Sequence, residues 1–155
     1  MKRSTLTALT AGGALAALAF TGLVAAPAVS DWWDGRHDEY GSYATGAAAK
    51  ADRASVPRWL PDEAGSVEYA MRTTGGDRAL KAALPAAALP AGCTVLTPDT
   101  PRPAPALTPD WLPKDARAKA TARCGLYYAY ADGHTLYGWQ DDRDWIKDNK
   151  AASPH

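Results

Sequence analysis

The chain has few of the residues that usually mark an enzyme or a metal site. It contains two cysteines, three histidines and one phenylalanine, and its 17 lysines and arginines are balanced by 17 acids. No GxSxG, HExxH or HxxxH sequence occurs, so no spacing indicates a serine nucleophile or a set of metal ligands. Without an excess of positive charge we expect no nucleic-acid partner. The sequence indicates no catalytic residue, metal site or cofactor, and it favours a protein that is not an enzyme.

The N-terminal segment, residues 1–28, has the parts of an export signal. A Lys-Arg pair gives it a positive start, an uncharged run rich in Ala, Leu, Gly and Thr follows, and Ala26-Pro27-Ala28 is a small-x-small cleavage site. The alternative is a retained single-span anchor, because the run is long enough to cross a bilayer and Trp32-Trp33 follows it. In both cases the positive-inside rule places residues 31–155 outside the cytoplasm. The protein is membrane-associated only if the segment is retained.

The rest of the chain is long enough for one domain, which we expect to span residues 56–140. Residues 29–55 mix Gly, Ala, Ser and charged residues without a helix or strand period, which indicates a stalk or flexible arm. Residues 141–155 form a charged tail that suits one or two helical turns and a partly disordered end. The expected order is therefore signal or anchor, arm, domain and tail.

The two cysteines, Cys93 and Cys124, both follow the export segment. In an oxidising compartment an even pair predicts a disulfide bond. Closing a loop of about 30 residues stabilises a fold by roughly 3 to 4 kcal/mol. Two buried free thiols are the alternative, and a metal site is disfavoured because neither cysteine has a second ligand nearby.

Two stretches have the pattern of β-hairpins. In residues 126–139 a turn at Asp132-Gly133 separates two runs that place large aromatic residues on one face and small residues on the other. In residues 67–84 a turn at Gly75-Gly76 sorts apolar from charged side chains in the same way. The second arm of this hairpin, residues 78–84, also has the composition of a helix, although the sorting of charge favours a strand.

A proline-rich stretch and a short helix complete the expected domain. Six prolines in residues 97–113 forbid regular strand pairing and favour an extended crossing between the two cysteines. Residues 113–123 are Ala-rich, begin with Pro and are followed by Gly125, which predicts a helix. We therefore expect a small single α+β domain with two β-hairpins, one short helix, a Pro-rich crossing and one disulfide.

One short sequence occurs twice. Trp59-Leu60-Pro61 returns as Trp111-Leu112-Pro113, 52 residues later. A duplicated unit that presents two matched Trp sites is one interpretation. The other, which we favour, is a recurrent way to start a subdomain, with Trp in the core and Pro stiffening the chain before it. Two copies are too few for a solenoid.

The aromatic residues supply the candidate binding site. The chain has six Trp and seven Tyr, whose rings with polar groups suit surfaces that stack on sugars or contact a protein. The candidate ligand-binding residues are Trp59, Trp111, Tyr128, Tyr137 and Trp139. If the aromatic face of residues 126–139 is covered, it is core instead, and we favour this because the chain has almost no Phe or Ile.

Four segments carry a resemblance to known proteins: Ser55-Val56-Pro57-Arg58-Trp59-Leu60-Pro61, Thr73-Thr74-Gly75-Gly76-Asp77-Arg78, Leu89-Pro90-Ala91-Gly92-Cys93 and Ala122-Arg123-Cys124-Gly125-Leu126-Tyr127-Tyr128. With these segments, residues 30–140 resemble small exported or membrane-anchored proteins of high-GC actinobacteria, a group without an assigned activity. The resemblance implies a location outside the cytoplasm and pairing of the cysteines. It transfers no catalytic or binding residue.

Together these features predict an exported, non-catalytic cell-envelope protein that interacts with an envelope component or a protein partner. The alternative is a module that binds glycan or peptidoglycan through exposed Trp and Tyr. A second alternative is a small carboxylate-dependent hydrolase. Two close acids in a cleft, or a carboxyl group with a raised pKa, would favour the hydrolase.

Overall fold

The computed structural model describes residues 37–153, and its folded unit begins at Asp38. The strands of this part of the chain are β1 (Asp38–Thr45), β2 (Gly65–Arg72), β3 (Arg78–Ala83), β4 (Cys93–Val95), β5 (Ala122–Cys124), β6 (Tyr127–Asp132) and β7 (Thr135–Gln140). The helices are α1 (Gly46–Asp52), α2 (Ala116–Lys119) and α3 (Asp142–Ala152). All strands belong to one seven-stranded antiparallel sheet of order β1-β2-β3-β7-β6-β5-β4.

The domain is mostly sheet. Its helices contribute 7, 4 and 11 residues, so the expected α+β class gives way to an antiparallel sheet with short helices. The two hairpins and the disulfide of the expected fold are present. Residues 97–113 contain neither strand nor helix, in agreement with an irregular Pro-rich crossing.

The folded unit is longer at both ends than the expected domain of residues 56–140. Residues 38–52, which fall within the predicted flexible arm, form β1 and α1, and β1 pairs with β2 along its whole length. As an edge strand, β1 leaves most of its residues exposed and therefore shows no clear alternation in the sequence. At the other end α3 is an 11-residue helix, longer than one or two turns, and begins after the N-cap Asp141.

The hairpin of β6 and β7 keeps the predicted faces with a different turn. Asp132 pairs with Thr135, so the two-residue loop is Gly133-His134 and not Asp132-Gly133. Gly133 has a φ of 58°, and a type II′ turn needs glycine at this first loop position. Because the loop lies one residue later than predicted, each residue of β6 pairs with a residue of β7 two positions further along the chain than predicted. Side chains therefore stay on the predicted faces.

Residues 78–83 form the strand β3, which resolves the choice between strand and helix. Tyr69 lies opposite Leu80 in the register of β2 and β3. The predicted apolar side chains of this hairpin all belong to one core: Val67, Tyr69, Met71, Leu80, Ala82 and Leu84. Packing thus overrides the helix propensity of the second arm.

Each face of the sheet has its own hydrophobic core, because successive residues of a strand point to opposite faces. The first core contains Ala49, Val56, Leu60, Ala64, Val67, Tyr69, Leu80, Ala82, Leu84, Cys124, Tyr127, Ala129 and Leu136. The second core contains Ala70, Ala79, Leu107, Leu112, Ala116, Ala120, Tyr128, Tyr130 and Trp139. The central strands are therefore buried on both sides.

The repeated Trp-Leu-Pro sequence folds in the same way twice, once on each face. Equivalent turn hydrogen bonds run from Leu60 N to Pro57 O (3.2 Å), Ala64 N to Pro61 O (3.2 Å), Leu112 N to Pro109 O (2.9 Å) and Ala116 N to Pro113 O (3.0 Å). The Leu and Ala of the first copy enter the first core, and those of the second copy enter the second core. Each copy is a pair of turns that packs against one face of the sheet, and the Trp of each copy, expected in the core, is only partly buried.

The predicted disulfide between Cys93 and Cys124 is confirmed, with an S–S distance of 2.06 Å. The two residues face each other in the register of β4 and β5. The helix predicted over 113–123 is shorter, and α2 covers only four residues. Its expected second half becomes β5, because pairing of Ala122 with Ala129 of β6 outweighs the helix propensity of alanine.

The expected signal or anchor, residues 1–28, and Trp32-Trp33 lie outside the described residues. Between residues 37 and 153, no helix combines the length and apolar character that a membrane span requires. The disulfide is compatible with a location in an oxidising compartment.

Candidate functional site

Four of the five candidate aromatic residues lie on the face of the second core. Tyr128 and Trp139 stack across β6 and β7 with ring centroids 5.8 Å apart. Tyr137 stacks on Tyr130 in the same way, with centroids 5.2 Å apart. Trp111 packs against this core from the chain that precedes α2. The two stacked pairs form an aromatic ladder.

The ladder is covered by the Pro-rich crossing. Trp139 is 1% exposed and Tyr128 is 7% exposed. The indole N–H of Trp139 donates to the carbonyl oxygen of Pro103 at 3.1 Å. Protein atoms therefore occupy the space that a stacked sugar would need at these two rings. Tyr137 and Trp111 keep partial exposure.

Trp59 lies apart from the other candidates, on the opposite face of the sheet. It contacts Tyr127 edge to face, with ring centroids 5.4 Å apart and planes at 76°. It is partly buried against the first core. The structure thus does not bring all five candidates together.

A groove lies between the Pro-rich crossing, α2 and the start of α3. It has two adjoining cavities, of about 350 and 500 Å³. The smaller cavity is lined by Pro101, Arg102, Pro103, Arg117, Tyr128, Asp141, Arg143 and Asp144. The larger cavity is lined by Thr100, Pro101, Arg102, Lys114, Asp115, Arg117 and Ala118. Because both cavities share Arg102 and Arg117, we call this feature the arginine groove.

Arg102 fixes the shape of the crossing at the arginine groove. Its guanidinium donates to the carbonyl oxygens of Ala120 (3.0 Å), Thr100 (3.0 Å), Thr97 (3.2 Å) and Pro98 (3.3 Å). Arg117 Nε in turn donates to the carbonyl oxygen of Arg102 at 2.6 Å. These acceptors are neutral carbonyl oxygens, so they bring no negative charge to offset either guanidinium group.

Each carboxylate that lines the groove already has a basic partner. The ion pairs are Asp141 with Arg143 (2.9 Å), Asp144 with Arg123 (2.9 Å) and Asp115 with Lys119 (3.1 Å). The hydrogen bond from Arg143 holds the pKa of Asp141 below its ordinary value. The hydroxyl of Tyr128 also donates to Asp144 at 3.0 Å. These acids are consequently neutralised within the groove.

Three basic residues that line the groove have no acidic partner. Arg102, Arg117 and Lys114 form no ion pair within the described range 37–153. The chain after residue 28 as a whole has 15 basic residues, since two of the 17 precede it, against 17 acids. The groove is therefore locally positive, although the chain after residue 28 is slightly negative overall.

Asp77 meets one condition set for a hydrolase, a raised carboxyl pKa, and its surroundings explain this. Burial raises the pKa, and the nearby charges of Asp142 and Asp141 add to the effect. Its two oxygens accept hydrogen bonds from Asp142 N (3.0 Å) and Arg72 Nη1 (3.1 Å). Asp142 Oδ1 accepts from Gly76 N at 2.6 Å. These bonds tie the β2–β3 loop to the start of α3.

Asp77 does not line the arginine groove. Within residues 37–153 there is also no group of three or more His, Cys, Asp or Glu side chains placed to hold a metal ion. What the structure shows for the Asp77 carboxylate is its hydrogen bonds to Asp142 N and Arg72 Nη1, which join a loop to a helix and a strand.

Comparisons with protein families, with curated proteins and with solved structures find no match for this chain. Sequence reasoning missed the arginine groove, because its basic residues come from separate segments. The available signal was Arg102, the single basic residue among the six prolines of residues 97–113.

Proposed function

We propose that the protein is an exported, non-catalytic component of the cell envelope that binds a partner there. The observation that carries this proposal is the disulfide between Cys93 and Cys124, because such bonds persist in oxidising compartments outside the cytoplasm. The export pattern of residues 1–28 and the resemblance to exported or anchored actinobacterial proteins agree with it.

A binding role has more support than a catalytic one. The lining acids of the arginine groove are in ion pairs, and Asp77 uses both oxygens in structural hydrogen bonds. What the groove offers is positive charge next to a rigid wall of proline. Such a surface suits the binding of an anionic ligand.

Glycan binding by aromatic stacking is the weaker candidate. Only Tyr137 and Trp111 of the aromatic-ladder face are both candidate residues and partly exposed. The rings of Tyr128 and Trp139 face other protein groups. A sugar would have to displace the Pro-rich crossing to reach Trp139, and Tyr128 is only 7% exposed where it lines the smaller cavity.

The proposed location is tested by cell fractionation combined with thiol labelling of the protein in the cells that produce it. We expect the protein in the envelope or secreted fraction, with no labelled thiol until a reductant is added. Labelling is done in denaturant, because Cys124 is buried in the folded protein. A Cys93→Ala variant is the control, since it leaves Cys124 as a free thiol and should label without reductant. Recovery of the protein in the cytoplasm with two reactive thiols would contradict the proposal.

A further inference from the structure

We infer that the arginine groove binds phosphate groups of an anionic envelope polymer, with Arg117 and Lys114 as the binding residues and Arg102 as a fixed third charge. The inference rests on the proposed function only for the place where the protein meets the polymer. The binding chemistry itself follows from the groove.

Arg117 is held in place and still has free donors. Its Nε donates to the carbonyl oxygen of Arg102, while its two terminal nitrogens make no hydrogen bond within residues 37–153. The residue is exposed, and so is Lys114. A guanidinium whose position is fixed by one bond loses less entropy when its other nitrogens bind an oxyanion.

Phosphate is the anion that best fits these groups. A guanidinium presents parallel N–H donors that match the oxygens of phosphate, and Lys114 adds a second charge at the same cavity. The lining carboxylates do not compete, because each is paired with its own base. Three excess cations in one groove suit a ligand with more than one negative charge.

A polymer fits the shape of the groove. Two cavities adjoin along the Pro-rich crossing and share Pro101, Arg102 and Arg117. A chain with regularly spaced phosphates can fill both cavities at once, and linked binding of two groups strengthens the whole interaction. The hydrogen bonds of Arg102 preorganise the groove, because they hold the crossing in place without a ligand.

The test is a calorimetric titration of the full, oxidised chain with linear polyphosphate at two salt concentrations. We expect saturable binding that weakens at the higher salt concentration.

Arg117→Gln and Lys114→Gln should each raise Kd about tenfold, as expected for loss of a hydrogen bond to a charged group. The matched control, Arg58→Gln with Lys150→Gln, removes one Arg and one Lys that are exposed and form no ion pair in the described part of the chain. Its Kd should change less than about twofold.

A loss of binding must be distinguished from a loss of folding in the variants. Arg117→Gln removes the bond to Arg102, so thermal melting of this variant is measured alongside binding. Lys114 makes no hydrogen bond or ion pair within residues 37–153, and its substitution tests the groove without disturbing the crossing. A loss of binding in Lys114→Gln with unchanged melting supports the inference.

Several results would overturn the inference. They are an absence of saturable binding, an equal loss in the groove and control variants, or equal affinity for polyglutamate, which carries carboxylates. Binding to vesicles of phosphatidylglycerol without binding to polyphosphate would assign the groove to a membrane surface instead. Because the titration uses purified protein, it can fail while fractionation still supports export, or succeed while fractionation does not.

Discussion

Trp139 and Pro103 are joined by a hydrogen bond of 3.1 Å from the indole N–H to the proline carbonyl oxygen. The bond ties a central strand of the sheet to a segment that has no regular secondary structure. It explains why the aromatic face of β6 and β7 is a core and not an open platform. The wall of the arginine groove depends on the same contact, because Pro103 lines the smaller cavity.

Trp139→Phe should lower the free energy of unfolding by about 1 to 3 kcal/mol. The change leaves the carbonyl oxygen of Pro103 without its hydrogen-bond donor and replaces a buried indole by a smaller ring. Urea unfolding followed by circular dichroism measures the change. Tyr40→Phe is the control, since Tyr40 is 60% exposed and the expected change is below about 0.5 kcal/mol. Equal losses in the two variants would show that the contact with Pro103 does not stabilise the fold.

Replacing both cysteines by alanine should cost roughly 3 to 4 kcal/mol, the loop-closure effect for a bond that joins residues 31 apart. Cys93 and Cys124 also lie in the short strands β4 and β5, so these strands should separate first. Thermal melting with and without reductant provides the measurement. The reductant should destabilise the wild-type protein and leave the double variant unchanged. Identical melting of oxidised and reduced wild-type protein would refute the prediction.

The hairpins were predictable because their signals are local. Glycine near a turn and alternation of apolar residues are enough to assign β2, β3, β6 and β7. The turn between β6 and β7 lies one residue after the predicted one, since Asp132-Gly133 and Gly133-His134 both contain the glycine that needs a positive φ. The choice between them depends on the pairing of the two strands, such as Tyr128 opposite Trp139. The turn predicted at Gly75-Gly76 is also different, because Met71 lies opposite Arg78 and the connection spans residues 73–77.

The edge strand and the groove were not predictable from local patterns. β1 has most of its residues exposed, and its place in the sheet depends on pairing with a strand 20 or more residues away. Arg102, Arg117 and Arg143 belong to a loop and two different helices. Only the path of the Pro-rich crossing brings them to one groove, and no spacing in the sequence records that path.

Gly133→Ala should destabilise the hairpin of β6 and β7 by about 1 to 2 kcal/mol, because its φ of 58° is unfavourable for a residue with a Cβ atom. There is open space around this position, so the loss would come from the backbone alone. Gly65→Ala is the matched control, since Gly65 has no positive φ and an added Cβ would make only an ordinary contact at 3.9 Å. Urea unfolding compares the two variants. A loss at Gly65 as large as that at Gly133 would contradict the assigned turn.

Asp77 should make the free energy of unfolding fall as pH rises through its titration. Burial raises its pKa in the folded protein above the ordinary value of 3.8, so the folded state binds more protons than the unfolded state between these two values. Asp77→Asn removes this titration. The stability of the wild-type protein relative to the variant should therefore decline with rising pH across that window and then level off.

Asp141→Asn should show the opposite sign and serves as the control for Asp77→Asn. The hydrogen bond from Arg143 lowers the pKa of Asp141, so its contribution is present above the ordinary pKa and is lost as pH falls through the lowered one. Urea unfolding from about pH 2 to pH 7 covers both windows. The altered contact of residue 77 with Arg72 adds an offset that does not depend on pH, so the slope alone carries the test. A constant difference between wild type and Asp77→Asn across this range would mean that Asp77 titrates normally and that its burial imposes no penalty on the charged form.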